Sequence, residues 1–292
     1  MWIRYVTHQV LTAVPNLLRA IPLMIANRCS TRRIPATSPD AVVVSLTSHG
    51  SRLRHLYMTV ESVARGNQRA PIVLWLDRKD FERPWPASLR RLVRRGLQVR
   101  CSDGEYGPHT KYWNTFRQVD GTGTRVVTVD DDMIYPEWFL ERLLFLSQVR
   151  GDSVLAYRAH RITFSRDGLA PYRKWEPCTS QVPSVCHFAT GVSGVLYPAT
   201  FVSYVVAQGE RFMELTPRAD DVWLHACALR SGHRVRQVHS RPRNFAVNPP
   251  AQREALVRSN TMGGGNDAQI AQVYTREDIA ALRASATESA AS

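Results

Sequence analysis

Residues 125–132 read Arg-Val-Val-Thr-Val-Asp-Asp-Asp, and this stretch decides the fold that the chain is expected to adopt. Its first part, Arg125 to Val129, is a short β-branched run of the kind that forms a strand buried on both faces. The strand leads directly into three consecutive aspartates, and Pro136 then opens a segment with leucines at helical spacing. In α/β sheets, ligands bind beyond the carboxyl ends of the strands, so we expect the aspartates at a ligand site.

The same alternation of strand and helix occurs upstream. Strands are predicted over 41–46, 72–76 and 97–101, and helices over 52–65, 86–95 and 111–119. This alternation predicts an α/β fold, a doubly wound and mostly parallel sheet flanked by helices. The Ser45–Gly50 segment and Asp77 also follow strands, so three polar sites are expected to converge on one edge of the sheet.

The second half of the chain is less regular. Its patterns predict strands over 153–157, 191–197 and 234–238, helices over 200–207, 222–230 and 277–283, an ordered loop over 165–186, a flexible turn at 263–265 and a frayed Ala/Ser-rich end. A chain of 292 residues has room for two domains or for one large α/β domain. We expect a single large domain with an N-terminal helical extension.

The excess of basic residues indicates which kinds of molecule the chain is expected to bind. The chain has 38 basic and 25 acidic residues, a net charge of +13, and 44% of its residues are hydrophobic. The hydrophobic content excludes disorder of the whole chain, and the basic excess points to a polyanion: nucleic acid, an anionic membrane or a phosphorylated substrate. The five cysteines are odd in number and form no Cys-x-x-Cys pair, which favours a reducing compartment over a disulfide framework or a zinc site.

Residues 1–40 are expected to form an amphipathic segment followed by a linker. The run 10–26 is mostly apolar, but Arg19 and Pro22 interrupt it, so it matches neither a membrane span nor a signal peptide. Two interpretations stay open: a helix in a membrane interface with its arginines near anionic lipid heads, or a helix docked on the domain. The arginine-rich face of the helix predicted over 86–95 is likewise either solvated or turned to an anionic membrane.

The aspartate triplet is the strongest candidate for chemistry. Adjacent carboxylates repel one another and raise one another's pKa, and a divalent cation removes that repulsion. Asp130 and Asp132, at alternate positions, offer hard oxygen ligands for Mg²⁺ or Mn²⁺, and such a cation would in turn hold a substrate diphosphate. The alternative is a solvated acidic turn, which is less typical of a position directly after a buried strand.

Other candidates each have a structural alternative. Asp220 and Asp221 are either helix caps or, at the first turn of a helix, a general base and its neighbour. Asp77 either forms a turn at a strand end or accepts a hydrogen bond from a ribose or a base. His239 is either a surface histidine or a third metal ligand, and Lys111 would neutralise a phosphate.

Two glycines, Gly191 and Gly194, would allow a substrate to approach the backbone closely. Their segment lacks the glycine spacing and the lysine of a phosphate loop, so a nucleotide-cradling loop is not expected there.

The order of these motifs resembles that of bacterial GT-A-fold glycosyltransferases of the family-2-like group, found with polysaccharide and cell-envelope biosynthesis. The matching segments are 42–48 with Arg52-Leu53, 126–132 with Tyr135-Pro136, 190–198, 219–224 and 264–267. The resemblance covers residues 41–270 and is specific for the fold but not for the sugar.

This resemblance implies a nucleotide-sugar donor. It assigns residues 41–150 to donor binding, 151–270 to acceptor binding and 271–292 to a C-terminal helix and tail. It implies that Asp221 is the base that deprotonates the acceptor hydroxyl for an inverting displacement and that Asp220 orients it. The other implied roles are donor contacts at Ser45, Thr47, Ser48, Arg52, Asp77, Lys111 and Asp131, metal ligands at Asp130 and Asp132, with His239 as a metal ligand in a retaining enzyme, and acceptor contacts at Gly191, Gly194 and Trp223.

The sequence therefore predicts a metal-dependent glycosyltransferase that uses a UDP- or GDP-sugar, Mn²⁺ or Mg²⁺, and a glycan or lipid-linked acceptor. We expect it in the cytoplasm, peripheral on the inner face of an anionic membrane and without a nucleic-acid partner. One alternative is a nucleotidyltransferase of sugar phosphates, whose Gly-x-Gly-x-x-Arg signature is represented here only by Gly50 and Arg52. The other is a non-enzymatic basic protein that binds nucleic acid or membrane, although no helix-turn-helix pattern accompanies the charge.

Overall fold

The structure is a computed structural model that describes residues 18–166, 168–248 and 265–291. Within these ranges the strands are β1 Val42–Thr47, β2 Ile72–Leu76, β3 Gln98–Cys101, β4 Arg125–Thr128, β5 Met133–Ile134, β6 Val154–Ala156, β7 Ala159–Arg161, β8 Phe164–Ser165, β9 Gly168–Leu169, β10 Glu176–Pro177, β11 His187–Ala189, β12 Val195–Tyr197, β13 Val235–Gln237 and β14 Ala246–Val247.

Most of the helices lie between strands of the first half of the chain or near its C-terminal end. They are α1 (residues 18–29), α2 Tyr57–Ala64, α3 Arg78–Glu82, α4 Ala87–Arg94, α5 Trp113–Val119, α6 Phe139–Arg150, α7 Ala199–Ala207, α8 Phe212–Leu215, α9 Asp220–Arg230, α10 Gly265–Val273 and α11 Arg276–Ala291. Short 3₁₀ helices cover Gly50–Arg54, Gly107–Lys111 and Tyr172–Lys174.

A sheet of seven strands in the order β13-β6-β12-β4-β1-β2-β3 forms the centre of the molecule. Strands β1 to β4 are parallel to their neighbours in this group, and β13 is parallel to β6. Strand β12 is antiparallel to both β4 and β6, which makes the sheet mixed but mostly parallel. The predicted α/β architecture is confirmed, and β-branched runs such as that of β4 lie in the centre of the sheet, where both faces are covered.

Helices cover both faces of this sheet. Val127 of β4 belongs to a buried cluster formed with α2, α4 and α6, whereas its neighbour Val126 belongs to a second cluster formed with α5, α7 and α9. Successive side chains of a strand point to opposite faces, so adjacent residues serve the two layers. Helix α1 packs on the first layer through Ala20 and Leu23.

The structure differs from the predictions in several places. The helix expected over 52–65 is divided into the 3₁₀ turn Gly50–Arg54 and α2. Gly50, which begins the turn, adopts a left-handed conformation, and its amide donates to the carboxylate of Asp80 (2.9 Å). The loop expected over 165–186 contributes β10 to a small sheet of order β10-β7-β11. These strands of two or three residues are too short to show an alternating pattern in the sequence.

The C-terminal end was expected to fray, but α11 continues to Ala291. Leu282 of this helix is fully buried, and Asp278 accepts hydrogen bonds from the guanidinium of Arg230 in α9. Of the predicted turn at 263–265, only Gly265 is described, and it begins α10; residues 1–17 of the predicted N-terminal segment also lie outside the described part.

Two general expectations bear on the chain's environment. All five cysteines are free thiols. In the part of the chain that the structure describes, no helix combines the length and the apolar character needed to cross a bilayer.

Candidate active site

Two acidic segments far apart in the sequence meet at the carboxyl-terminal edge of the sheet. Asp130 follows β4, and Asp220 begins α9. The ammonium of Lys111 joins them: its Nζ lies 3.2 Å from Oδ1 of Asp130 and 2.7 Å from Oδ2 of Asp220. The side chain of Lys111 is nearly buried, so these ion pairs form with little water around them. We call the five aspartates of the two segments, together with Lys111, the acidic cluster.

A chain of hydrogen bonds holds Lys111 in place. The indole of Trp75 donates to the Thr115 hydroxyl (2.7 Å), and the hydroxyls of Thr115 and Ser45 are 2.6 Å apart. The Ser45 hydroxyl in turn donates to the carbonyl oxygen of Lys111 (2.6 Å). Strands β1 and β2 are thereby tied to the 3₁₀ turn that carries Lys111. Ser45 is fully buried by these contacts, so the structure places it beneath the predicted donor site rather than facing it.

The charge of Lys111 depends on its neighbours. Burial by itself lowers the pKa of a lysine, but the charges of Asp130, Asp220 and Asp221 raise the pKa of Lys111 well above its ordinary value. The side chain is therefore a fixed cation inside an otherwise negative group.

The middle aspartate of the triplet points inward. Both oxygens of Asp131 are bound by the guanidinium of Arg52, with Nε 3.0 Å from Oδ2, and the Ser48 hydroxyl donates to Oδ2 at 2.5 Å. The Thr59 hydroxyl lies within hydrogen-bonding distance of the carbonyl oxygens of Asp131 (2.9 Å) and Met133 (2.7 Å). Ser48, Arg52 and Asp131, which were predicted to contact the donor, thus brace the turn that presents the outer two aspartates.

Each of the outer two aspartates shares its cation with another carboxylate. Burial, together with the charges of Asp130 and Asp131, raises the pKa of Asp132 to about 7, although Arg52, whose nearest nitrogen lies 3.2 Å away, lowers it. Asp130 shares Lys111 with Asp220. A divalent cation fits these residues, because carboxylate oxygens are its preferred ligands and it would relieve the repulsion that raises this pKa.

The third predicted metal ligand lies elsewhere. The ring of His239 packs against Trp138 and Tyr157, with ring centroids 5.8 Å and 5.9 Å apart. Within the described ranges, no three His, Cys, Asp or Glu side chains are arranged to hold a metal ion together. This arrangement corrects the prediction that His239 joins Asp130 and Asp132, and further ligands would have to come from water or from a substrate.

Asp221, the second residue of α9, is half-buried. Its Oδ1 accepts the amide of Gly191 at 2.9 Å. Burial and the charges of Asp220 and Asp130 raise the pKa of Asp221 to about 8, while Lys111 and the Gly191 amide act in the opposite direction. A carboxyl group with such a pKa can take up or release a proton near neutral pH, as a general base must.

The glycine opposite Asp221 has no room for a side chain. A Cβ on Gly191 would lie 2.7 Å from the Lys111 ammonium and 3.1 Å from Oδ1 of Asp221. The space that the sequence suggested for a substrate is thus filled by the site's own charged groups. Gly194, with φ of +90°, instead faces the ring of Phe139, which a Cβ would approach to 2.7 Å.

The remaining predicted contacts divide between the surface and the core. One carboxylate oxygen of Asp77 is buried without a hydrogen-bond partner, and burial together with the charges of Asp80 and Glu105 raises its pKa. Thr47 is half-buried and donates to the carbonyl of Trp75 at 3.0 Å. Trp223 lies in the second core cluster, so the structure corrects its predicted contact with an acceptor.

Two residues at the site were not predicted from the sequence. The Tyr135 hydroxyl accepts the amide of Asp130 at 3.0 Å, which fixes the start of the triplet. Burial and the charge of Asp221 raise the pKa of Tyr172, whose amide donates to Asp267 of α10 at 2.7 Å. Tyr135 lies three residues after the triplet, so the sequence could have indicated it as part of the site. Tyr172 lies in a loop that shows no recognisable sequence pattern.

No protein-family model matches the chain, and no curated protein matches it in sequence. Several solved structures resemble it at low identity. Residues 1–349 of S. aureus TarS in complex with UDP superpose with a TM-score of 0.47 and 12% identity, over 70% of this chain and 59% of that one. The mannosyltransferase PcManGT from Pyrobaculum calidifontis in complex with GDP-Man and Mn²⁺ gives 0.43 and 12%, over 78% and 64%. The 4-diphosphocytidyl-2C-methyl-D-erythritol synthase from Anaerococcus prevotii gives 0.45 and 15%, over 72% and 92%.

Proposed function

We propose that this chain is a glycosyltransferase that moves a sugar from a nucleotide-sugar donor to an acceptor hydroxyl. The observation that carries the proposal is the acidic cluster: a triplet after a central strand and a pair at a helix start, joined by the buried ammonium of Lys111. The first segment suits a cation and a diphosphate, and the second suits a base. A reaction that expels a diphosphate while an acceptor hydroxyl loses its proton needs both.

In this proposal, Asp221 removes the proton from the acceptor hydroxyl. The acceptor oxygen forms a bond to the anomeric carbon, the bond from that carbon to the diphosphate oxygen breaks, and the electron pair leaves with the diphosphate. Asp130 and Asp132 would hold Mn²⁺ or Mg²⁺, which when bound neutralises the leaving diphosphate. Lys111 keeps Asp220 and Asp130 in place and adds a fixed positive charge beside them.

The proposed stereochemistry is inversion. A single displacement requires one base on the acceptor side, and we assign that role to Asp221, whose raised pKa suits a proton acceptor. His239, which would have favoured a retaining enzyme, packs with Trp138 and Tyr157 instead.

We place the nucleoside at Thr47 and Asp77. The unpartnered, buried oxygen of Asp77 is able to accept a hydrogen bond from a ribose hydroxyl or a base amine, which would satisfy it. The donor would be a UDP- or GDP-sugar, and the acceptor a glycan or a lipid-linked sugar of the cell envelope on the cytoplasmic side. Asp220 would orient the acceptor or the base.

The test is a donor screen that measures release of nucleoside diphosphate from UDP- and GDP-sugars with Mn²⁺. We expect release from one donor class, and loss of it in Asp132→Asn and Asp221→Asn. Asp152→Asn, at an exposed position, is the matched control and should keep full activity. Pyrophosphate release from a nucleoside triphosphate and a sugar phosphate would instead establish a nucleotidyltransferase and overturn the proposal.

A further inference from the structure

Helix α1 has two apolar stripes, and only one of them is covered. Ala20 and Leu23 point into the core of the domain. Leu18, Ile21 and Ile25, at spacings of three and four residues, lie on another side of the helix and are exposed, with exposed fractions of 63% for Leu18 and 56% for Ile25. These spacings place the three side chains on one face.

This orientation of α1 is fixed by polar contacts. The buried Asn27 side chain donates to the carboxylate of Glu61 (3.2 Å) and to the carbonyl of Ser88 (3.2 Å). The guanidinium of Arg91 in α4 donates to both the carbonyl and the side-chain oxygen of Asn27 at 3.0 Å. The helix cannot turn its outer stripe inward without breaking these bonds.

Two cavities that share Trp138 lie beside α1 and α6. A cavity of about 570 Å³ is lined by Pro22 and Leu23 of α1 on one side and by Trp138 on the other. A second cavity of about 460 Å³ shares Trp138 and is lined by Phe145 of α6. Phe145 and Val149, one turn apart on α6, are 53% and 58% exposed. We call the exposed apolar side chains of α1 and α6, together with Trp138 between the two cavities, the α1–α6 face; they are Leu18, Ile21, Met24, Ile25, Trp138, Phe145 and Val149.

Basic side chains accompany this face. Arg19 and Arg65 line the first cavity and Arg142 lines the second, where its Nε is buried and has no hydrogen-bond partner. The acidic groups on the same walls are Glu137 and Glu141, and Glu141 accepts a hydrogen bond from Asn67 at 2.8 Å. The arginines therefore offer cationic groups beside an apolar surface on a chain of net charge +13.

We propose that the α1–α6 face docks on a lipid bilayer that carries anionic headgroups. The apolar side chains would enter the boundary between headgroups and acyl chains, and Arg19, Arg65 and Arg142 would pair with lipid phosphates. A second copy of the chain suits this surface less, because it would bring the same arginines against each other. The inference is independent of sugar transfer, since it rests on residues outside the acidic cluster.

The test is flotation of the full-length protein with vesicles, without donor or metal. Binding is expected to vesicles with about one-third phosphatidylglycerol in phosphatidylcholine, and not to phosphatidylcholine alone. Ile25→Glu and, separately, Phe145→Glu should each weaken binding at least about tenfold, because a buried apolar contact is lost and a like charge is added. Two sites on different helices guard against a folding defect in either variant, which circular dichroism would report.

The matched control is Met213→Glu, an exposed apolar residue on α8, which packs with the other core layer and should bind vesicles as the wild type does. Equal binding to neutral and anionic vesicles would overturn the proposal, as would equal binding by the wild type and both α1–α6 variants. A wild type that ignores vesicles but is a dimer by light scattering, and becomes a monomer in Ile25→Glu, would show that a second copy covers the face and would also overturn it.

Discussion

Asp221, the base of the proposed reaction, carries a thermodynamic cost. Its pKa is raised to about 8, above the ordinary 3.8, chiefly by burial and by Asp220. The folded protein therefore holds this proton over a pH range in which the unfolded chain has released it, so the contribution of Asp221 to stability falls as pH rises from about 4 to about 8. Removing the charge should stabilise the protein, and it should do so most at the upper end of this range.

We therefore expect Asp221→Asn to lose activity and to gain stability. The asparagine oxygen can still accept the Gly191 amide, which lies 2.9 Å away in the wild type. The rate should fall by about 10²–10⁴-fold, as for loss of a general base, while the free energy of unfolding at pH 8 rises by roughly 1–2 kcal/mol. Melting curves at pH 5 and pH 8 check this, and a stabilisation no larger at pH 8 than at pH 5 would contradict it.

The pH dependence of turnover follows from the same group. Asp221 must be ionised to accept a proton, and its pKa is about 8 in the absence of a bound cation. We expect kcat/KM to rise with pH and to level off above this pKa. A cation bound at Asp130 would cancel one of the charges that raise the pKa, and the rise should then shift to lower pH at saturating Mn²⁺. A rate that decreases as pH rises through this range would exclude Asp221 as the base.

Gly191 is the residue whose smallness the site requires. An added Cβ would meet Lys111 Nζ at 2.7 Å and Asp221 Oδ1 at 3.1 Å. Gly191→Ala should therefore separate these charges, lower turnover at least about tenfold and cost about 1–3 kcal/mol of unfolding free energy. Gly168→Ala is the control, because a Cβ there has nothing within 4 Å and its φ is not positive. Equal activity and stability for the two variants would refute the tight packing around Gly191.

At the scale of elements, prediction from the sequence worked where local pattern and burial agree. The strand predicted over 72–76 is β2 Ile72–Leu76, because a β-branched run flanked by helices is buried on both faces. The strand predicted over 191–197 shrinks to β12 Val195–Tyr197, because Ser193 and Gly194 both adopt positive φ and form a turn. Turns of this kind depend on tertiary contacts, here the ring of Phe139 against Gly194.

In the candidate site, too, local sequence predicted some features, and tertiary contacts determine the others. The position of the triplet followed from its strand, but the contact of Lys111 with Asp220 joins residues 109 positions apart and left no local trace. The inward turn of Asp131 was equally invisible, because Arg52 and Ser48 come from the end of β1 and its following 3₁₀ turn. Strand order brings these groups together, and no single segment encodes it.

A buried ion pair links α2 to the end of α4. Glu61 is fully buried and pairs with the guanidinium of Arg95, which also donates to the carbonyl of Arg32 at 2.8 Å. Arg95→Met would leave the Glu61 charge without its cation and should cost about 3–5 kcal/mol in urea unfolding. The double variant with Glu61→Gln should recover most of this loss.

The control for that pair lies on the surface. Arg78 and Glu82 form an ion pair in α3 whose two side chains are mostly exposed, and Arg78→Met should change the free energy of unfolding by about 0.5 kcal/mol or less. Similar costs for Arg95→Met and Arg78→Met would show that the Glu61–Arg95 pair is not the buried link that its geometry indicates.

Across the whole molecule, the charge is separated by location. The chain carries +13 overall, yet the candidate site sets the five aspartates 130–132 and 220–221 against the two cations Arg52 and Lys111. The long-range field of a basic protein attracts a nucleotide diphosphate, whereas the site itself repels it until a cation binds. The overall charge therefore raises the affinity for a nucleoside diphosphate, whereas the carboxylates of the site lower it.

Bound Mn²⁺ is expected to remove the repulsion at the site. With Mn²⁺, affinity for a nucleoside diphosphate should be at least about tenfold higher than in EDTA, because the cation cancels the repulsion of Asp130 and Asp132. In Asp132→Asn, affinity for the nucleoside diphosphate in EDTA should increase, because a repelling carboxylate is gone. The increase in affinity that Mn²⁺ produces should become smaller. Titration calorimetry of the wild type, Asp132→Asn and the exposed control Asp152→Asn measures all three. If Asp132→Asn weakens binding equally with and without Mn²⁺, this aspartate contacts the nucleotide directly and does not act through a cation.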